Sequence, residues 1–243
     1  MKKLFLLFLT IGALVSCSKD DSGNNLNDSN CKVIEWKTSY NEGDGFFDGG
    51  SKKVFYDNQN RISKVESYYD GENFTTTYNY SDDKIIVSSP VQRVVYTLNN
   101  ANLIEKYDIE GYNSVKITYN SANQMISAQR SDSTLYTFNY TGGNLTDATE
   151  GDESMSFTYD TSQNFPTFGT FGLEPFYHLF GDTDYESSHV LYEQGYFGTK
   201  IKNAVKTYKG HYTTRTFNYS FDKDKLTSFG NDREMFQLTY SCN

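Results

Sequence analysis

Four carboxylates in the stretch GDTDYESSHVLYE carry a spacing that could hold a cation. Asp182, Asp184, Glu186 and Glu193 fall at the first, third, fifth and twelfth places of an EF-hand-like count, and calcium takes hard oxygen ligands in that order. Ser187 stands where such a loop needs glycine, Glu186 replaces the usual Asp or Asn, and no helical period flanks the stretch. It reads as a solvated acidic loop, with calcium the weaker reading. His178, His189 and His211 are isolated, without the H-E-x-x-H or H-x-x-E-H spacing of zinc sites. There is no G-x-S-x-G turn, no phosphate-binding glycine loop and no G-x-G-x-x-G after a strand. The chain is therefore expected to be non-enzymatic and to need no cofactor. A carboxylate pair for glycoside cleavage stays open, because a separation of roughly 5–10 Å leaves no trace in sequence.

The aromatic residues offer a second chemistry. A sugar ring stacks its apolar C–H surface on an aromatic face while its hydroxyls bond polar neighbours. Trp36, and Phe46 and Phe47 in the glycine-rich EGDGFFDGG (42–50), are candidates for such a platform. Tyr177 and Phe180 in NFPTFGTFGLEPFYHLFG (164–181) are others, although dense aromatics usually mean burial, and a plug or cap over an open sheet end is the favoured reading there. Within that stretch EPFYHLF suits one or two helical turns, with Pro175 tolerated at the start.

The elements that must position these residues repeat along the chain. VFYDNQNRISKV (54–65), TYNYSDDKIIV (77–87), ITYNSANQMISA (117–128), FNYTGGNLTDA (138–148), FTYDTSQNF (157–165) and FNYSFDKDKLTSF (217–229) share one plan. Each runs apolar-x-Tyr, then Asp, Asn, Ser or Thr with polar residues, then an apolar residue; VVYTLNNANLIE (94–105) follows it with Leu98 in the tyrosine place. Alternation of this kind sets the aromatics on one face of a strand. The polar cluster is turn chemistry, and the next apolar residue starts the returning strand. Each unit is a β-hairpin, and the whole is expected to be all-β: an antiparallel meander forming a large curled sheet or barrel-like structure. Residues 31–243 form this single domain, with a short irregular or helical insertion at about 161–210. The alternating runs are shorter than the roughly 9–11 residues of membrane-spanning strands, which argues against insertion in lipid.

The repeat resembles the YD, or Rhs-type, repeat of bacterial surface proteins. With GYFGTKIKN (195–203) the chain looks like a Bacteroidetes outer-membrane lipoprotein family of unknown function, described as porin-like in fold. The resemblance implies architecture and location and brings no catalytic residues.

Three cysteines place the domain. Lys2 and Lys3, the apolar LFLLFLTIGALV and LVSC (14–17) resemble a lipoprotein signal over residues 1–16, with Cys17 the lipidated first residue of the mature chain. Acylation gives stable anchoring without a transmembrane segment. Ser18-Lys19-Asp20-Asp21 resembles the signal that sends such lipoproteins to the cell exterior. Residues 17–30 hold the lipidated cysteine and a polar tether, of which residues 18–30 reach at most about 45 Å. Cys31 and Cys242 remain, one at each end of the folded region, and in an oxidising compartment they read as a disulfide. That pairing sets the first and last strands side by side.

The net charge is −9, with 22 Lys+Arg against 31 Asp+Glu. Such a field repels phosphate, so nucleic acid is not an expected partner. The membrane is met through the lipid anchor only. The sequence thus reads as a surface-anchored binding module for a glycan or a protein. An envelope-assembly or spacer role is the alternative, and oligomeric state is left open.

Overall fold

The computed structural model describes residues 31–41, 43, 45–164, 185–210, 213–222 and 225–242. Cys17, Tyr177, His178, Phe180, Asp182, Asp184 and His211 lie outside the described residues.

Among the described residues the polar turns separate seventeen strands. In order these are β1 (Cys31–Asn41), β2 (Phe46–Tyr56), β3 (Ile62–Tyr69), β4 (Glu72–Tyr80), β5 (Lys84–Ser88) and β6 (Arg93–Leu98). Then come β7 (Ile104–Ile109), β8 (Ser114–Tyr119), β9 (Met125–Arg130), β10 (Leu135–Thr141), β11 (Asn144–Glu150) and β12 (Glu153–Asn164). After the helix α1 (Tyr185–Glu193) follow β13 (Asn203–Lys209), β14 (Thr214–Thr216), β15 (Asn218–Asp222), β16 (Lys225–Gly230) and β17 (Glu234–Cys242). From β1 to β14 each strand pairs antiparallel with the next, as do β15 with β16 and β16 with β17. β14 and β15 are one edge interrupted at Phe217, whose N–H still donates to the Lys206 carbonyl at 3.0 Å. β1 pairs with β17 from Cys31–Cys242 to Tyr40–Glu234, and the two cysteine sulfurs are bonded. The meander therefore forms a nearly closed barrel. The repeat's interruption is narrower than the sequence suggests, since β12 runs to Asn164 and β13 begins at Asn203.

Antiparallel succession gives the barrel two distinct rims. The disulfide rim carries Cys31, Cys242 and the β2–β3, β4–β5, β6–β7, β8–β9 and β10–β11 turns. Three of these turns are the same object. Asp57, Asn99 and Asn120 each accept, through one side-chain oxygen, two backbone N–H groups of the turn: Gln59 and Arg61, Ala101 and Leu103, Ala122 and Gln124. Asn60, Asn102 and Asn123 then take φ of 64°, 59° and 57°. This left-handed position suits Asn, and the register shift beside each turn marks the accompanying bulge.

The tyrosine of the repeat has a specific task at this rim. Hydroxyls of Tyr56, Tyr80, Tyr119, Tyr219 and Tyr240 donate to the carbonyls of Val33, Ile62, Ile104, Val205 and Leu226 at 2.7–2.9 Å. Tyr159 does the same to Leu145. Each acceptor is the apolar residue near the start of the neighbouring strand, so one hairpin's tyrosine closes over the end of the one beside it. Burial pushes these phenols up; for Tyr56 and Tyr240 the value reaches about 12, with the Glu193 charge a second cause.

The lumen is solid. Inward residues such as Val65, Ile85, Tyr96, Tyr107, Tyr136 and Tyr208 are fully buried. The helix lies among them: Ser188 to Tyr192 are buried on every side, as expected for a helix without a solvent face. Ser188 Oγ and the Tyr96 hydroxyl are 2.9 Å apart. The helix ends in a Schellman motif at Gly195 (φ 83°), where Tyr196 N–H donates to Leu191 and Gly195 N–H to Tyr192.

Residues 195–203 are then stitched to three successive hairpins. Ile104 N–H donates to the Tyr196 carbonyl, Thr199 N–H to Asn123 and Lys202 N–H to Gly143. Asn144 and Asn203 bond reciprocally at 2.9 and 3.0 Å. Gly198, at φ 92°, lies so close to the Asn123 carbonyl that a Cβ would meet it at 2.1 Å.

Candidate functional site

The carboxylate reading is corrected first. Glu186 and Glu193 lie on α1, not on a loop, and Glu193 is held by Lys200 Nζ at 3.1 Å beside the buried lumen. Ligands at the fifth and twelfth places of a calcium loop cannot sit on one continuous helix in that way. Among the described residues no group of three or more His, Cys, Asp or Glu could hold a metal. His189 is buried, and burial, with the Lys52 charge as a lesser cause, lowers its pKa to about 3. It is a neutral core residue.

Trp36 is likewise no platform. It is 3% exposed, points into the lumen opposite Leu238 and Lys52, and has the Lys52 ammonium 5.8 Å from its ring. Period two sets the face of a strand but leaves open whether that face is covered.

Phe46 and Phe47 are exposed, at 49% and 45%. They belong to strand β2 and not to a loop. They sit at the rim opposite the disulfide, because β1 and β2 run past their neighbours there: both have eleven residues, against five or six in β5 to β9. Two glycines make this extension possible. The Tyr40 ring lies on Gly49, where a Cβ would meet it at 2.5 Å, and Gly50 takes φ 102° with the Tyr68 carbonyl 2.4 Å from where its Cβ would be. Asp48 Oδ1 accepts the Gly50 N–H at 2.8 Å and fixes the bulge.

Ladder pairing shows which aromatics share a face, since directly opposed residues point the same way. Tyr40 opposes Phe47, with ring centroids 6.2 Å apart. Ser67 opposes Phe74, and Tyr69 opposes Glu72. Tyr40, Phe47, Tyr69 and Phe74 continue the lumen-facing side of β1 to β4 beyond the filled core, and Phe46 and Tyr68 occupy the outer side. The result is an aromatic wall on an extended four-strand apron. Tyr69 and Phe74 carry no signal that separates them in sequence from core residues such as Tyr78.

The two rims differ sharply in polarity. Of eleven exposed large hydrophobic residues among the described ones, eight lie at the rim opposite the disulfide: Phe46, Phe47, Tyr68, Tyr69, Phe74, Val91, Tyr112 and Leu135. Between the rims the barrel's outer face is hydrophilic. Lys64 pairs with Glu66 and Lys106 with Asp108, and Thr137 bonds Thr149 across strands at 2.6 Å. A membrane-spanning barrel has the reverse arrangement, with an apolar band outside and a polar interior.

No protein-family model matches the sequence, and no curated protein matches it. Among solved structures the chain is similar to a porin-like protein from Bacteroides uniformis ATCC 8492, with a TM-score of 0.59 and 14% identity, covering 86% of this chain and 98% of that one. It is also similar to a porin-like protein from Bacteroides vulgatus ATCC 8482, with a TM-score of 0.53 and 13% identity over the same shares. At these identities the likeness is one of fold: a porin-like, all-β barrel, filled here by its own side chains and helix.

Proposed function

We propose that this chain is a non-catalytic binding module, lipidated at Cys17, whose barrel stands in water at the outer membrane and faces the cell exterior. Its ligand is a glycan or a protein, taken by the aromatic wall of Tyr40, Phe47, Tyr69 and Phe74. The observation that carries the reading is the gathering of exposed aromatics at the rim farthest from Cys31. A tether through residues 17–30 joins the barrel at Cys31, so the aromatic rim is the end presented away from the lipid. The hydrophilic outer face fits a barrel held above a membrane by its anchor, not one sunk in it.

The test is a binding screen of the purified chain against soluble polysaccharides and extracellular proteins, repeated with Phe47→Ala and Tyr69→Ala. Phe55→Ala, exposed toward the other rim, is the control. Loss of binding by the first two variants alone supports the site. Binding that survives both removes it from this wall.

A further inference from the structure

Among the described residues, half of one edge of β4 is left without a paired strand. β5 pairs with β4 only from Thr77–Ser88 to Tyr80–Ile85. It stops because Ser89-Pro90-Val91-Gln92 turns back toward β6: Ser89 N–H donates to the Gln92 carbonyl, and Pro90 has no N–H with which to continue a ladder. From Glu72 to Thr76 no described strand pairs with β4 on the side away from β3.

The hairpin fixes which backbone groups face that gap. Asp70-Gly71 (φ 48° and 81°) is a two-residue turn that makes Tyr69–Glu72 a bonded pair. Bonding alternates along an antiparallel ladder, so Glu72, Phe74 and Thr76 address β3, whereas Asn73 and Thr75 turn their N–H and C=O groups outward. Glu72, Asn73 and Thr75 are exposed, and the stretch has no Lys, Pro or bulge of the kind that blunts natural edges.

We infer that this open edge takes an extended polypeptide of another protein as an added strand beside β4, an inference that rests on the binding role of the aromatic wall and names its ligand class. The backbones of Asn73 and Thr75 supply the main-chain bonds of the added strand. A side chain placed opposite Phe74 points onto the wall, so the peptide carries an apolar or aromatic residue there and at every second position. Asp48, Asp70 and Glu72 are exposed at the tip and no described cation pairs with them, which favours Lys or Arg at the flanks. A second copy fits less well. Antiparallel pairing about Phe74 would invert one barrel and send the two tethers to opposite ends, and both copies carry a net negative charge.

The experiment selects a random peptide library on the full mature chain in detergent micelles and measures the enriched peptides against variants. Thr75→Pro removes the outward N–H without touching the bonds to β3; Thr75→Lys, which blunts the edge by charge, serves if proline disturbs folding. Circular dichroism and thermal melting verify that each variant is folded. The expected result is enrichment of alternating apolar peptides with basic flanks, whose affinity falls about tenfold or more in either Thr75 variant. Peptides that bind the variants as well as the parent chain overturn strand addition, as does failure to enrich any. A polysaccharide whose binding needs Phe47 but ignores Thr75→Pro overturns the polypeptide ligand and leaves the binding module standing. Dimers by light scattering that vanish in Thr75→Pro would assign the edge to a second copy and overturn the partner named here. Absence of both peptide and polysaccharide binding overturns the wall itself.

Discussion

The Tyr80 hydroxyl lies 2.7 Å from the Ile62 carbonyl of β3 and 2.9 Å from Gln194 Oε1 at the end of the helix. One phenol thus ties the rim of the barrel to its internal plug. The Arg61 guanidinium covers its ring at 4.3 Å and Tyr196 stacks at 5.9 Å, which holds the hydroxyl in place. Removing the hydroxyl leaves the part-buried Ile62 carbonyl without its donor, a loss of about 1–3 kcal/mol. Tyr80→Phe is expected to lower the melting temperature by several degrees, whereas Tyr112→Ala, on an exposed turn, leaves it unchanged. Equal effects of the two in calorimetry would show that the rim bonds contribute nothing specific.

Gly198 tests the seating of the plug. A methyl group there would strike the Asn123 carbonyl and press on the Tyr119 ring, and the φ of 92° disfavours any side chain. Gly198→Ala is expected to cost more than about 2 kcal/mol and to open the β8–β9 end to amide hydrogen exchange. Gly111, with φ 82° but open space around it, is the comparison: Gly111→Ala carries only the backbone strain. Similar losses in both would mean that the plug yields freely at its exit.

Much of this architecture is legible in the sequence, and the reasons for the rest are physical. Period two and the Asp/Asn turns give the hairpins, because both are local: Asp57 and Asn60 build their turn from five residues. The cysteines give closure. The tyrosine bonds are not legible, since alternation names a face and not the carbonyl a hydroxyl will reach. Nor is the helix. YESSHVLYE has no apolar stripe, because a helix surrounded by barrel wall has no solvent face to leave polar, and Ser188 and His189 sit in its core. Phe46 and Phe47 stand out beside glycines; Trp36 misleads because a covered and an uncovered strand end share one pattern.

His189 gives the fold a sensitivity to acid. Its pKa is about 3 in the folded barrel, against 6.5 when exposed, so between these values the unfolded chain binds more protons. Stability is then fully present above pH 6.5 and declines as pH falls toward 3, by at most about 1.4 kcal/mol per unit. Urea unfolding at pH 7.5, 6.5 and 5.5 should show the parent chain losing about 1 kcal/mol relative to His189→Gln over the last step. Parallel pH curves for the two proteins would place the imidazole in contact with water.

The disulfide closes the barrel across a sequence separation of 211 residues. In the chain-entropy account a loop of this length stabilises the fold by about 5 kcal/mol. Reduction, or Cys31→Ser with Cys242→Ser, is expected to lower the melting temperature by about 10–20 °C while the β1–β17 ladder persists at lower temperature. A melting curve unmoved by reduction would mean that this ladder alone holds the seam.

The orientation of the barrel is the prediction on which its biology turns. If the lipid proposed at Cys17 anchors the chain, attachment through Cys31 would present Phe47 and Tyr69 away from the membrane surface, and only export to the outside would expose them to molecules beyond the cell. Protease shaving of intact cells, followed by antibody detection of residues 31–242, reads this directly. Loss of the domain while a periplasmic protein survives is the expected result, and makes host and environmental polypeptides the ligands to try against the β4 edge. Protection of the domain would turn the aromatic rim toward the periplasm. The extended segments available to it there belong to envelope proteins, and the search for its partner would move to them.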